Sequence, residues 1–194
     1  MSSQGNHPIH SAIRANRVFL LAGAPLILVG LSAILFLYLK ADTAGLAAVQ
    51  NIVRRSFPGA PQLSTDELAT WLADTNRPTP ILLDVRSSEE YEWSHLAGAQ
   101  RVEPGSSVAE VSEFVETGAP MVLYCAVGYR SSELAQLIAQ SGNTNVYNLD
   151  GAIYKWANEG RPLVSASGMA TTVQPYGTSN ARLLKGPYRA PKNP

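Results

Sequence analysis

The single cysteine of the chain lies in a segment whose residue types suit nucleophilic chemistry. Cys125 closes the apolar run 121–125, and a helical pattern begins at Ser131. A loop between a strand and a helix N-terminus can turn its backbone N–H groups inward, where the helix dipole also favours negative charge. Gly128 permits backbone conformations that a Cβ atom would obstruct, and Arg130 adds a permanent cation. This combination favours a nucleophilic thiolate and an anionic substrate.

A buried structural cysteine is the alternative interpretation of Cys125, because a lone cysteine commonly behaves as a small apolar side chain. The loop that follows favours the nucleophile. We therefore predict Cys125 as the catalytic residue. The predicted substrate-binding residues are those of the loop, namely Ala126, Val127, Gly128, Tyr129 and Arg130.

Length and composition exclude several other classes of function. The 194 residues suffice for one ordinary domain with appendages. Fifteen basic and fifteen acidic residues balance to zero, which argues against nucleic acid as a partner. One cysteine allows neither an intrachain disulfide nor a cysteine-based zinc site. His7 and His10 lack the spacing of metal ligands, so we expect no metal.

The elements that must position the cysteine loop alternate between strand and helix patterns. Ser64 and Glu67 have the spacing of a capping box, which predicts a helix that begins near residue 65. Apolar runs predict four strands, at 81–85, 99–102, 121–125 and 146–149. Further helices are predicted within 87–95, 107–116, 131–140 and 152–159. The alternation indicates an α/β fold whose parallel-rich sheet binds ligands at the carboxyl ends of its strands.

An apolar stretch near the N-terminus predicts a membrane anchor. Residues 18–39 contain no charged side chain and are long enough to cross a hydrocarbon core of about 30 Å. A cleavable signal peptide is the alternative, but its apolar region is shorter, and Lys40 and Asp42 stand where a cleavage site would need small residues. Arg14 and Arg17 precede the stretch, which favours a cytoplasmic N-terminus and a domain on the opposite side of the membrane.

The remaining boundaries follow from composition. After Glu159 the chain has no acidic residue, and 165–194 is rich in Ser, Thr, Gly, Pro and Asn. We expect this tail to be disordered, and a contact with anionic lipid or an acidic partner is the alternative. The predicted organisation is a polar segment at 1–17, the anchor at 18–39, a linker at 40–59, a domain at 60–163 and a basic tail at 164–194.

Three motifs in order resemble the rhodanese homology domain over about residues 60–163. They are LLDVRSSEEYEWSHLAGA, then CAVGYRS, then NLDGAIYKW. The resemblance implies a three-layer α/β/α fold and transfer of sulfane sulfur without a cofactor. Cys125 would take sulfur from a small anionic donor such as thiosulfate, hold it as a persulfide, and pass it to cyanide or a thiol. Ala152 stands where the family has the second glycine of a pair, a mild departure.

The same resemblance assigns roles to residues outside the loop. It places Asp84 and Arg86 at a strand-end turn, where we expect them to brace the cysteine loop rather than to react. His95 is expected to be structural, because persulfide formation needs no separate base. Related phosphatases have five residues between cysteine and arginine, whereas this chain has four, so a phosphatase is a distant alternative.

Two other functions remain open beside the enzyme. One is a membrane-tethered persulfide relay or sensing module with a protein acceptor and little turnover of thiosulfate. The other is a scaffold that recruits a partner without catalysis. The intact Cys125, Gly128 and Arg130 argue against the scaffold.

Overall fold

A five-stranded parallel sheet forms the centre of the structure, a computed structural model that describes residues 45–191. Neighbouring strands follow the order β1, β5, β4, β2, β3, and each pairing is parallel. The strands are β1 Gln62–Leu63, β2 Ile81–Asp84, β3 Gln100–Arg101, β4 Met121–Tyr124 and β5 Val146–Leu149. The predicted α/β fold with a parallel-rich sheet is confirmed.

The apolar runs of the central strands are explained by burial on both faces of the sheet. Leu82 and Val122 point into one cluster of apolar side chains, while Leu83 and Leu123 point into another. A parallel sheet that is covered on both faces needs apolar residues at successive positions rather than at alternate ones. This is why 81–85 and 121–125 were recognisable as strands.

Helices cover both faces and complete three layers. Helix α1 occupies 45–56, and the others are α2 Thr65–Ala73, α3 Ser88–Trp93, α4 Ser112–Glu116, α5 Tyr129–Gln140 and α6 Ala152–Asn158. Side chains of α2 and α6 pack on one face of the sheet, whereas those of α5 pack on the other. Helix α1 contributes to both, with Leu46 in the first cluster and Val53 in the second.

Local sequence signals set where two of these helices begin. Ser64 caps α2 and Ser87 caps α3, each in a reciprocal box with the glutamate three residues on, Glu67 or Glu90. Helix α5 begins at Tyr129 rather than at the predicted Ser131, because Gly128 is its N-cap in a left-handed conformation.

Residues 45–56, which fall within the predicted linker at 40–59, form helix α1. Helix α1 buries Leu46 and Val53, and Phe57 follows it with only 9% of its surface exposed. Gln50 and Arg54 donate hydrogen bonds to the carboxylate of Asp150. Apolar residues recur here at helical spacing, which is the sequence signal for this helix.

The expectation of a disordered tail is wrong for residues 164–191. Strands β6 Leu163–Ser165 and β7 Gly168–Ala170 form an antiparallel hairpin, and helix α7 Gly177–Asn180 follows. Val173 and Leu184 are fully buried in the core. Asn158 accepts a hydrogen bond from Lys185 N at 2.8 Å and donates one to the Leu183 carbonyl at 2.8 Å. A few well-placed apolar residues therefore order a segment whose average composition is polar.

The predicted transmembrane helix at 18–39 lies outside the described residues. Within 45–191, the structure contains no helix that combines the length and the apolar character needed to cross a membrane.

Candidate active site

The loop after β4 places the Cys125 sulfur against a backbone N–H group. The Ile153 and Tyr154 N–H groups of α6 donate to the carbonyl oxygens of Cys125 and Ala126, at 3.2 and 3.1 Å. These bonds turn the two carbonyls toward α6, which leaves the opposite side of the loop to N–H groups. The Gly128 N–H donates to Cys125 Sγ at 3.3 Å. The loop thus directs one backbone N–H at the sulfur from the N-terminus of α5, where the helix dipole also favours negative charge.

Gly128 supplies a backbone conformation rather than space. Its φ is +101°, which side-chain-bearing residues rarely adopt. A Cβ atom at this position would lie 3.4 Å from Asn148 Nδ2, an ordinary contact. The glycine is therefore needed because its conformation aims the N–H of the α5 N-cap at the sulfur.

Arg130 lies beside Cys125 and is held by Glu90. The two guanidinium nitrogens Nη1 and Nη2 donate to the two carboxylate oxygens of Glu90 at 3.1 and 3.2 Å. Burial opposes the charge of Arg130, but the bonds to Glu90 and the neighbouring Cys125 sulfur outweigh it and raise the pKa of Arg130. Arg130 is therefore a fixed cation at the sulfur.

The other predicted loop residues differ in exposure. Ala126 is buried, Val127 is half-buried and Tyr129 is half-exposed. The Tyr129 ring meets Phe57 edge-on, with ring centroids 4.8 Å apart. Cys125 itself is 1% exposed and belongs to the apolar cluster that contains α1 and α5.

The predicted supporting pair is present but supports a different segment. Asp84 and Arg86 are fully buried, with Arg86 Nε donating to Asp84 Oδ1 at 2.9 Å and Nη2 donating to Oδ2 at 2.7 Å. Arg86 Nη2 also donates to the carbonyl of Ser94 at 2.6 Å. None of the hydrogen bonds found within 45–191 joins this pair to 126–130. The pair instead secures the end of α3, the helix that carries Glu90.

His95 lies in the turn that follows α3. Its Nδ1 is 2.8 Å from the Tyr91 carbonyl, and its ring stacks on Tyr91 with centroids 3.9 Å apart. Its backbone pairs with Val164. These contacts match the structural part that the sequence predicts for it.

Sequence reasoning missed two residues that contact Arg130. Glu90 lies in the helix predicted within 87–95, and the residue with which it pairs lies 40 positions away. Tyr176 belongs to the expected disordered tail, yet its ring centroid lies 4.5 Å from Arg130 Cζ. The Ser87–Glu90 capping spacing could have located the start of α3, but no local pattern reports either contact with Arg130.

The carboxylates and histidines of the described residues do not assemble a metal site. No group of three or more His, Cys, Asp or Glu side chains within 45–191 is arranged to hold a metal ion.

Comparison with known proteins places this site in a family. The rhodanese-like domain family matches residues 64–159. The chain is 30% identical over 89 residues to the thiosulfate sulfurtransferase GlpE of Actinobacillus succinogenes, covering 46% of this chain and 79% of the relative. It is 36% identical over 78 residues to the uncharacterized protein YqhL of Bacillus subtilis, covering 40% of this chain and 61% of that protein.

A solved structure is also similar to part of this chain. The solution structure of the rhodanese-like domain of the Anabaena protein Alr3790 is 26% identical, has a TM-score of 0.49, and covers 54% of this chain and 79% of that domain. The family match, the GlpE relative and the parallel sheet with its cysteine loop agree, and the chain belongs to the rhodanese-like domain family.

Proposed function

We propose that this protein is a rhodanese-type sulfurtransferase that carries sulfane sulfur as a persulfide on Cys125. The observation that carries the proposal is the contact of the Gly128 N–H with Cys125 Sγ at the N-terminus of α5, beside the cation of Arg130. The similarity to a protein named thiosulfate sulfurtransferase supports thiosulfate as one donor. The acceptor is a thiophilic molecule such as cyanide or a thiol.

The reaction consists of two displacements at sulfur. In the first, the Cys125 thiolate attacks the outer sulfur of thiosulfate, the S–S bond of the donor breaks, and sulfite leaves with the bonding electron pair. In the second, cyanide attacks the terminal sulfur of the persulfide. Thiocyanate leaves and the Cys125 thiolate is regenerated, so neither metal nor organic cofactor takes part.

The loop favours the charged species along this path. The donor, the persulfide and the departing sulfite are all anions, and backbone N–H groups in a fixed loop stabilise such charge without reorganisation. Arg130 adds a permanent charge for the sulfonate oxygens of the donor. The low exposure of Cys125 excludes water, which strengthens these interactions.

The test is intact mass of the full-length chain after incubation with thiosulfate, beside the Cys125→Ser variant. We expect a mass gain of one sulfur atom on the wild type alone. Cyanide should remove it and release thiocyanate in equal amount. A folded wild type that gains no sulfur would exclude thiosulfate as the donor.

A membrane-tethered persulfide relay with a protein acceptor is the second candidate. Tyr129 and Val127 give the rim an apolar character that suits a bulky acceptor, and residues 18–39 would hold the domain at a membrane. In this candidate the N-terminus is cytoplasmic and the domain lies on the opposite side. Replacing both rim residues with serine should then slow transfer to a protein thiol while leaving transfer to cyanide intact. Equal effects on both acceptors would count against the relay.

A further inference from the structure

The C-terminal segment that follows the family match reaches the cation of the site. The Tyr176 ring lies over the guanidinium of Arg130, with 4.5 Å between Cζ and the ring centroid. The family match ends at residue 159, so this aromatic side chain comes from outside it. An aromatic ring from outside the matched region therefore contacts the Arg130 cation.

Two anchors hold Tyr176 in place. Its backbone N–H donates to the Tyr154 hydroxyl at 2.7 Å. Burial raises the pKa of Tyr154 to about 12, so this hydroxyl stays neutral at physiological pH. Upstream, Trp93 Nε1 donates to Thr172 Oγ1 at 3.0 Å and ties the segment to α3.

These two hydrogen bonds connect the segment to α6 and α3, the helices that also position the cysteine loop and Arg130. Tyr154 belongs to α6, where its N–H and that of Ile153 turn the carbonyls of the cysteine loop. Helix α3 carries Glu90, the carboxylate partner of Arg130. The ring is therefore placed by the same two helices that place the loop and the arginine.

We propose that Tyr176 is a positioning residue, which holds the Arg130 guanidinium in the orientation that binds an anionic sulfur donor. This inference rests on the proposed function. Glu90 binds the guanidinium by two of its nitrogens, and the guanidinium carbon also lies over the Tyr176 ring. The ion pair with Glu90 and the cation–π contact with Tyr176 together restrict the movement of the guanidinium, which favours one geometry of the bound donor.

The first experiment separates the aromatic face from simple bulk. In the full-length chain, Tyr176→Phe keeps the ring, whereas Tyr176→Leu keeps apolar volume without it. We expect Tyr176→Leu to raise KM for thiosulfate by about three- to tenfold with little change in kcat. Tyr176→Phe should restore KM to within about twofold of the wild type. Met169→Ala is the matched control, because Met169 lies in the same C-terminal segment and is 74% exposed.

The second experiment needs no sulfur transfer. Iodoacetate and iodoacetamide alkylate a cysteine in the same way, but only iodoacetate is an anion. The ratio of their rates at Cys125 therefore reports the cation beside it. We expect Tyr176→Leu to lower this ratio, and Tyr176→Phe and Met169→Ala to keep it.

The results distinguish this inference from the proposed function. If the wild type takes up no sulfur from thiosulfate, the proposed function fails. The ratio of alkylation rates then still tests whether Tyr176 positions Arg130. An unchanged KM and ratio in Tyr176→Leu would overturn the inference. An equal loss in Tyr176→Phe and Tyr176→Leu would overturn it as well, because the ring would then not be what matters.

Discussion

Gly128 combines two properties that no other residue type supplies together. Its N–H donates to Cys125 Sγ, and its φ of +101° makes that aim possible at the start of α5. Without a side chain, it also brings no capping oxygen to compete for the first N–H groups of the helix. The anion binding proposed for the loop depends on this residue.

We expect Gly128→Ala to reduce both stability and sulfur uptake. The positive φ at residue 128 should lower the free energy of unfolding of the alanine variant by about 1–2 kcal/mol. If the backbone relaxes to relieve this strain, the N–H moves away from the Cys125 sulfur. Gly105→Ala is the matched control, because Gly105 also has a positive φ, +83°, and a Cβ there meets nothing within 4 Å. Both variants should lose stability in urea unfolding, but only Gly128→Ala should slow persulfide formation. Equal activity in the two variants would contradict the role given to the Gly128 N–H.

At the scale of elements, α6 acts as a brace for the cysteine loop. Its first N–H groups bind the carbonyls of Cys125 and Ala126. The chain enters α6 through Gly151 and Ala152, both with positive φ. Ala152 has a φ of +51°, which is uncommon for a residue with a side chain, and it occupies the position of a family glycine.

Replacing alanine with glycine should have different consequences for stability at the two ends of α6. At Ala152, glycine should relieve about 1–2 kcal/mol of strain from the left-handed backbone. It also loses the buried methyl group and gives the unfolded chain more conformational entropy, so we expect the free energy of unfolding to change by no more than about 0.5 kcal/mol. Ala157 is buried and its backbone is in the ordinary right-handed helical conformation, so the same replacement should lower the free energy of unfolding by roughly 1.5–2 kcal/mol. Urea unfolding of both variants measures the difference. An equal loss at the two positions would mean that the Ala152 backbone stores no strain.

At the scale of the whole molecule, segments on either side of the family match complete the domain. Before residue 64, α1 packs against the sheet, and Val53 lies near the loop glycine Gly128. After residue 159, the C-terminal segment adds Val173 and Leu184 to the core. These additions surround the active-site loop, so its stability depends on chain outside the matched region.

We expect Phe57→Ala to destabilise the folded domain by about 3 kcal/mol, because it opens a cavity between α1 and the sheet. The substitution also removes the edge contact that supports Tyr129. Ile52→Ala on helix α1 is the control, because Ile52 is 58% exposed and its replacement should change stability by no more than about 0.5 kcal/mol. A small effect of Phe57→Ala on urea unfolding would show that α1 is not part of the cooperative unit.

The order of strands and helices from residue 64 to residue 159 could be predicted from the sequence. Apolar runs, helical spacing and the Ser64 capping box are local signals, and each acts within a few residues of the structure it predicts. The same holds for the cysteine loop, since Cys125, Gly128 and Arg130 lie together in the chain. Short β1 was missed because two residues carry no periodicity.

The tertiary structure decided which distant residues complete the site. Glu90 and Arg130 are 40 positions apart, and Tyr176 reaches the same arginine from a segment whose polar composition suggested disorder. Composition averages over a segment, whereas order depends on whether a few apolar residues find a place in the core. The sequence by itself therefore predicted the cysteine loop, because its residues are neighbours in the chain. The partners of Arg130 were decided only by packing, because contacts between distant segments leave no periodic trace in the chain.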